Sequence, residues 1–180
     1  MQYLYHRLPP VMEGSTLYPL NELRGIFPDL FNKEVAKYIG RPHIVKQRIT
    51  LFDNCLWNDV LFFTAVNPQD IYDARRKIGW GDVSPQKYLK IDPSTLDSTK
   101  LGVYLFDPGR DGQLKSEKDF EVYDNDELSS YAIIPQATKD YFKQELDSGK
   151  SNIKLFFKYI PHILYKGSID ISDAEIITVS

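Results

Sequence analysis

The 180-residue chain has a single cysteine, Cys55, so no disulfide can close within it and no CxxC metal or redox motif can occur. Long apolar runs are missing too. No stretch approaches the roughly 18 residues needed to cross a bilayer, and no basic segment followed by an apolar one reads as a secretory signal. A cytoplasmic setting with no membrane partner is the expectation. Glycine-rich phosphate loops are absent: neither GxGxxG nor GxxxxGK followed by Ser or Thr is found, which argues against the dinucleotide and P-loop folds. The three histidines, His6, His43 and His162, lack metal-ligand spacing, so no metal is expected. The net charge of −3 argues against a broad nucleic-acid surface. Charge is uneven, however, being +3 over residues 1–50 and −5 over residues 101–150. A mildly basic first third is compatible with one anionic ligand.

The chain is long enough for one well-buried core and short for two. "QYLYHRL" reads as a first strand stopped by Pro9 and Pro10. A helical region follows from Asn21, an N-cap candidate, to Ile39, split at Pro28 and ended by Gly40. "RITLF" (48–52) and "DVLFFT" (59–64) read as strands, the second apolar enough to be buried on both faces. In "TAVNPQDIYDARRKIGWG", Asn67 can cap a helix and Pro68 suits its first turn. Arg75, Arg76 and Lys77 fall in its last turn, where positive charge is favoured, and Gly79 ends it. "YLKI", "GVYLF", "FEVYD" and "SSYAII" read as further strands, then a helix over Pro135–Leu146, then the strands "IPHILYKG" and "AEIITV". No repeat or linker divides the chain. The pattern predicts a single α+β domain over residues 1–180, with a mostly antiparallel sheet split around a cleft and three to four helices.

Candidate sites divide quickly. "DPGRDGQLKSEK" puts Asp107, Asp111, Gly112 and Leu114 at calcium-loop positions, but Lys118 stands where a bidentate glutamate belongs, so a surface turn between strands is expected. Cys55 sits among Leu56 and Trp57 without a basic neighbour, which predicts a buried, inert thiol. In an extended strand, His6 shares a face with Leu4 and Leu8, opposite Tyr5 and Arg7. His6 is then either a hydrogen-bonded core histidine or a residue at the rim of a cleft. Gly14 permits a turn and Tyr18 offers a stacking ring beside a helix start. Arg7 or Arg24 can add charge-assisted hydrogen bonds to a phosphate.

"YLYHRL", "EGSTLYPLNEL" and "VLFFTAVNP" resemble the first half of the ADP-ribosyltransferase-like superfamily, in particular its small DNA-targeting toxins, and "YIPHILYKGSIDISDAEIITV" resembles its last two strands. The resemblance touches about half of the chain through short motifs. It implies NAD or another nucleotide as cofactor and a nucleic acid or protein as acceptor. It implies His6 on the nicotinamide ribose and an aromatic residue stacking on nicotinamide. On this reading the catalytic candidates are His6 and, near the chemistry, His162, and the cofactor-binding candidates are Arg7, Tyr18, Asn21 and Arg24. It also implies a carboxylate that stabilises positive charge developing at the sugar carbon. The sequence departs from the pattern there: His162 stands where the late strand should carry glutamate, and Glu175 lies one strand further on. Superfamily members that transfer phosphate from RNA ends use basic and histidine residues instead. A second reading, from twelve tyrosines and ten phenylalanines, is a non-catalytic protein-interaction domain with an aromatic-rich surface.

Overall fold

The computed structural model describes residues 2–81, 84–113, 115–149 and 155–180. Leu114 of the calcium-loop reading lies outside them. Among the described residues the chain forms nine strands and five α-helices, and every strand pair is antiparallel. The α+β class follows directly.

The strands fall into three sheets. Strand β1 (Leu4–Arg7) pairs with β4 (Gln86–Ile91), which pairs in turn with β9 (Glu175–Val179). A four-stranded sheet runs β3 (Val60–Phe63), β7 (His162–Lys166), β5 (Leu101–Tyr104), β6 (Phe120–Val122). Short strands β2 (Thr16–Leu17) and β8 (Ile169–Asp170) form the third. The two ends of the chain therefore lie together: β2 pairs with β8, and β4 is shared by β1 and β9.

Alternation along each strand builds two cores. Leu61, Phe63, Ile163, Tyr165, Leu101 and Val103 project from one face of the four-stranded sheet and pack with Leu4 and Leu89 of the three-stranded sheet. The intervening residues Val60, Leu164 and Tyr104 meet Ile49, Cys55 and Phe120 on the other face. Strand β3 is thus packed on both sides, as its apolar run predicts. A third cluster joins helix α4 (Pro68–Lys77) to α5 (Gln136–Asp147) through Ile71, Trp80, Phe142 and Ile160.

Helix α4 forms as its sequence predicts: Asn67 Oδ1 accepts from the Gln69 N–H at 3.0 Å, Pro68 opens the first turn, and Gly79 follows with φ +84°. Arg75, however, is buried, its guanidinium held between Phe156 and Trp80 at 4.4 and 5.1 Å from the ring centres. Between Asn21 and Ile39, Pro28 does split the segment, giving α1 (Leu20–Ile26) and α2 (Pro28–Val35). A single turn, α3 (Pro42–Val45), brings the helices to five rather than three or four.

Three local expectations are corrected. Asn21 is not the cap of α1. The cap position is Pro19, and the Asn21 side chain is engaged elsewhere. Residues 48–52 do not form a strand. Ile49 N–H bonds to Cys55 O at 3.0 Å and Arg48 makes an isolated bridge to Leu56, so the segment folds back on itself. Its side chains drop onto the sheet over Gly102, where a Cβ would come within 2.6 Å of Leu51 Cδ1. Residues 129–134 form a 3-10 turn over Ser130–Ala132, because the Ser130 hydroxyl and N–H both bond back to Glu127 O and compete with a ladder.

Candidate functional site

Strands β1 and β3 begin as a ladder and then part. Tyr5 and Thr64 exchange both backbone hydrogen bonds, at 2.8 and 3.0 Å. Two residues further along β1, Arg7 would face Phe62 in a continued ladder. Instead the His6 imidazole fills the gap, with Nδ1 donating to the Phe62 carbonyl at 2.7 Å, and Leu8 N–H bonds to Lys87 of β4. A backbone acceptor at the split is thereby satisfied by a side chain.

A cavity of about 210 Å³ opens beside this split. Its floor is apolar, from Leu17, Leu23, Leu61 and Phe62, and its walls carry polar groups from several elements: His6 of β1, Tyr18 just after β2, Asn58 just before β3, and Glu34 and Lys37 from α2 and the turn after it. Pockets that engulf a whole drug-sized ligand span roughly 300–1,000 Å³, so this one takes a single ring or the end of a longer molecule.

The electrostatics of His6 follow from its bonds. A carbonyl only accepts, so Nδ1 carries the proton. Burial holds the imidazole below its ordinary pKa of 6.5, against the opposing pull of the Phe62 carbonyl. At neutral pH the ring is uncharged and Nε2 is a lone-pair acceptor, suited to a hydroxyl or amide N–H. Tyr18 is braced edge-on by Phe27, with ring centres 6.0 Å apart.

Asn58 belongs to a 3-10 turn, Trp57–Asp59, held by three hydrogen bonds. Asp59 Oδ2 accepts from Leu56 N–H at 2.6 Å, Asp59 Oδ1 accepts from Asn21 Nδ2 at 2.7 Å, and Trp57 N–H bonds to Gln47 O at 2.7 Å. Asn58 itself is 3% exposed, and its Nδ2 has no hydrogen-bond partner among the described residues.

The six residues singled out from the sequence divide accordingly. His6 and Tyr18 line the same cavity. Asn21 acts one step back, pinning the turn that carries Asn58. Arg7 is exposed and bonds to Gln86, and Arg24 is exposed with its guanidinium 4.8 Å from the Phe31 ring centre; neither lines the cavity. His162 lies on the other face of the four-stranded sheet, alternating with Ile163, packed against the rings of Phe62, Tyr104 and Phe106 and donating Nδ1–H to Ile160 O at 2.7 Å. Burial lowers its pKa as well. Phe62 links the two histidines: its carbonyl holds His6 and its ring packs on His162. Glu175 is ion-paired with Lys90 at 2.7 Å and does not line the cavity.

Sequence reasoning passed over Asn58, Glu13, Glu34 and Lys37. The one signal for Asn58 was its place in "LWNDVLFF", a polar pair wedged between apolar residues at the start of a buried strand. Cys55 is 2% exposed, and burial together with nearby Asp59 pushes its thiol up to about 11, so it supplies no nucleophile at neutral pH. Among the described residues, no three His, Cys, Asp or Glu side chains are grouped to hold a metal, and no helix is long and apolar enough to cross a membrane. Comparison with protein-family models, curated proteins and solved structures finds no match for this chain.

Proposed function

We propose that the cavity beside the β1–β3 split binds the ring end of NAD+ or a related nucleotide, and that the protein is an ADP-ribosyl or glycosyl transferase-like enzyme acting on a nucleic acid or protein. The observation that carries this reading is that His6 and Tyr18, far apart in local structure, line one cavity of ring size. NAD+ would bring an ADP-ribosyl group joined to a nicotinamide leaving group. His6 Nε2 accepts from a ribose hydroxyl, and Tyr18 offers its ring to the bound heterocycle. Glu13 and Glu34 line the cavity and supply negative charge where positive charge develops on a sugar, with Glu34 tied to Lys37 at 3.0 Å. These two carboxylates, from the N-terminal half, take the part that the late strand leaves to His162.

The interaction-domain alternative has less behind it. All 24 Tyr, Phe and Trp side chains are buried or half-buried, and the large apolar side chains that are exposed, such as Ile39 and Val122, are aliphatic.

Titration with NAD+ followed by thermal melting tests the proposal. At 100 times its dissociation constant a ligand stabilises by about 2.7 kcal/mol. In a domain of this size that is an upward shift of roughly 5–10 °C. A melting temperature unmoved by millimolar NAD+ and by every mononucleotide overturns the reading.

A further inference from the structure

We infer that Asn58 is the specificity-determining donor of this site, selecting a ligand whose ring carries a carbonyl oxygen; the inference rests on the nucleotide-binding reading. Three observations meet at this residue. Asn58 lines the cavity, as His6 and Tyr18 do. Its Nδ2 is buried and donates to nothing among the described residues. The turn that carries it is held by Asp59, Asn21 and Gln47, so the open donor does not come from a loose backbone.

A buried N–H without an acceptor destabilises the free protein. An ordered water or a ligand completes such a group, and of the buried side chains with an open donor or acceptor among the described residues, Asn58 is the one that lines this cavity. Nδ2 is sealed from solvent in the free protein, so contact with a ligand requires the amide to turn about χ2, a broad and roughly two-fold torsion, with the backbone fixed. Neutral His6, which lines the same cavity, has an acceptor at Nε2. One donor and one acceptor in one cavity complement a carboxamide, or a lactam edge, which offers one C=O and one N–H. A ring without the carbonyl would leave Nδ2 open in the complex, and sites built around a buried polar group reject such analogues strongly.

The experiment compares wild type with Asn58→Leu, a replacement of similar shape. Melting temperature is read without ligand, and affinity is read by calorimetry with NAD+ and with nicotinamide. The expected result is a free variant at least as heat-resistant as wild type, with NAD+ bound at least tenfold more weakly. A free variant that melts lower, or does not fold, while wild type binds NAD+ makes Asn58 a structural residue and overturns the inference alone. So does NAD+ affinity within twofold of wild type. Wild type is also titrated with 3-methylpyridine, the ring without its carbonyl, which should bind at least tenfold more weakly than nicotinamide; equal binding overturns the inference without recourse to a variant. Wild type that binds none of these probes overturns the nucleotide reading first, and the role of Asn58 with it.

Discussion

Replacing His6 by alanine separates a cleft residue from a core residue by magnitude. The substitution deletes one neutral hydrogen bond, Nδ1–H to Phe62 O, worth about 0.5–1.5 kcal/mol. It also removes the ring contact with Phe63, 5.4 Å between centres. If the adjoining cavity lets water reach the Phe62 carbonyl, the penalty for an unsatisfied buried acceptor is largely avoided. The total is then about 1–2 kcal/mol, or a fall in melting temperature of roughly 2–8 °C. A sealed aromatic-sized core position would lose about 3–5 kcal/mol, because the void stays empty. Urea unfolding at neutral pH measures the difference, with an unchanged m-value certifying that the same two states are compared. His6→Asn sharpens the test: its amide N–H can stand in for Nδ1–H toward Phe62 but offers no group at the Nε2 position. That variant should recover most of the lost stability and none of the NAD+ affinity. A loss above 4 kcal/mol in His6→Ala, or no recovery in His6→Asn, refutes the geometry argued for this residue.

Other outcomes follow from the same contacts. Burial depresses the pKa of both His6 and His162, so as pH falls through 6.5 the unfolded chain takes up protons that the folded chain resists. Stability should be level above about pH 7.5 and decline below 6.5; an equal or higher urea midpoint at pH 5.5 than at 7.5 contradicts this. Asp119 is fully buried, and although burial pushes its carboxyl up, the bonds from Arg110 and Ser116 hold it below the usual range. Asp119→Ala breaks the two-pronged pair with Arg110, at 2.8 and 3.0 Å; because Arg110 is partly exposed and can rehydrate, the loss in denaturant unfolding should be about 1.5–3 kcal/mol, that of hydrogen bonds to a charged group, and a loss under 1 kcal/mol would show the pair to be idle. Cys55 should resist a thiol-specific reagent at pH 8 in the folded protein and react promptly in denaturant, and fast labelling of the native state would contradict its burial.

Much of the fold was legible because it is written in local rules. The cap and basic end of "NPQDIYDARRK" specify α4 with no help from the rest of the chain. The apolar run of "VLFF" announced a strand packed on both faces, and Pro28 announced the break between α1 and α2. Local rules failed where distant partners, or close competing ones, decided the outcome. Residues 48–52 have a strand's composition, yet they fold over the bare backbone of Gly102 instead of joining a ladder. Asn21 has a cap's side chain, which Asp59, 38 residues away, claims first.

The site divides along the same line. Period-two alternation put His6 on the face of Leu4 and Leu8, apart from Arg7, and composition made Cys55 inert; these were properties of the sequence by itself. Which end of the chain meets which depends on strand pairing across more than a hundred residues, and only the tertiary structure decided it. It brought Tyr18 and Asn58 to His6 and left His162 across the sheet, because one-residue steps along a strand send neighbours to opposite faces once a register is set.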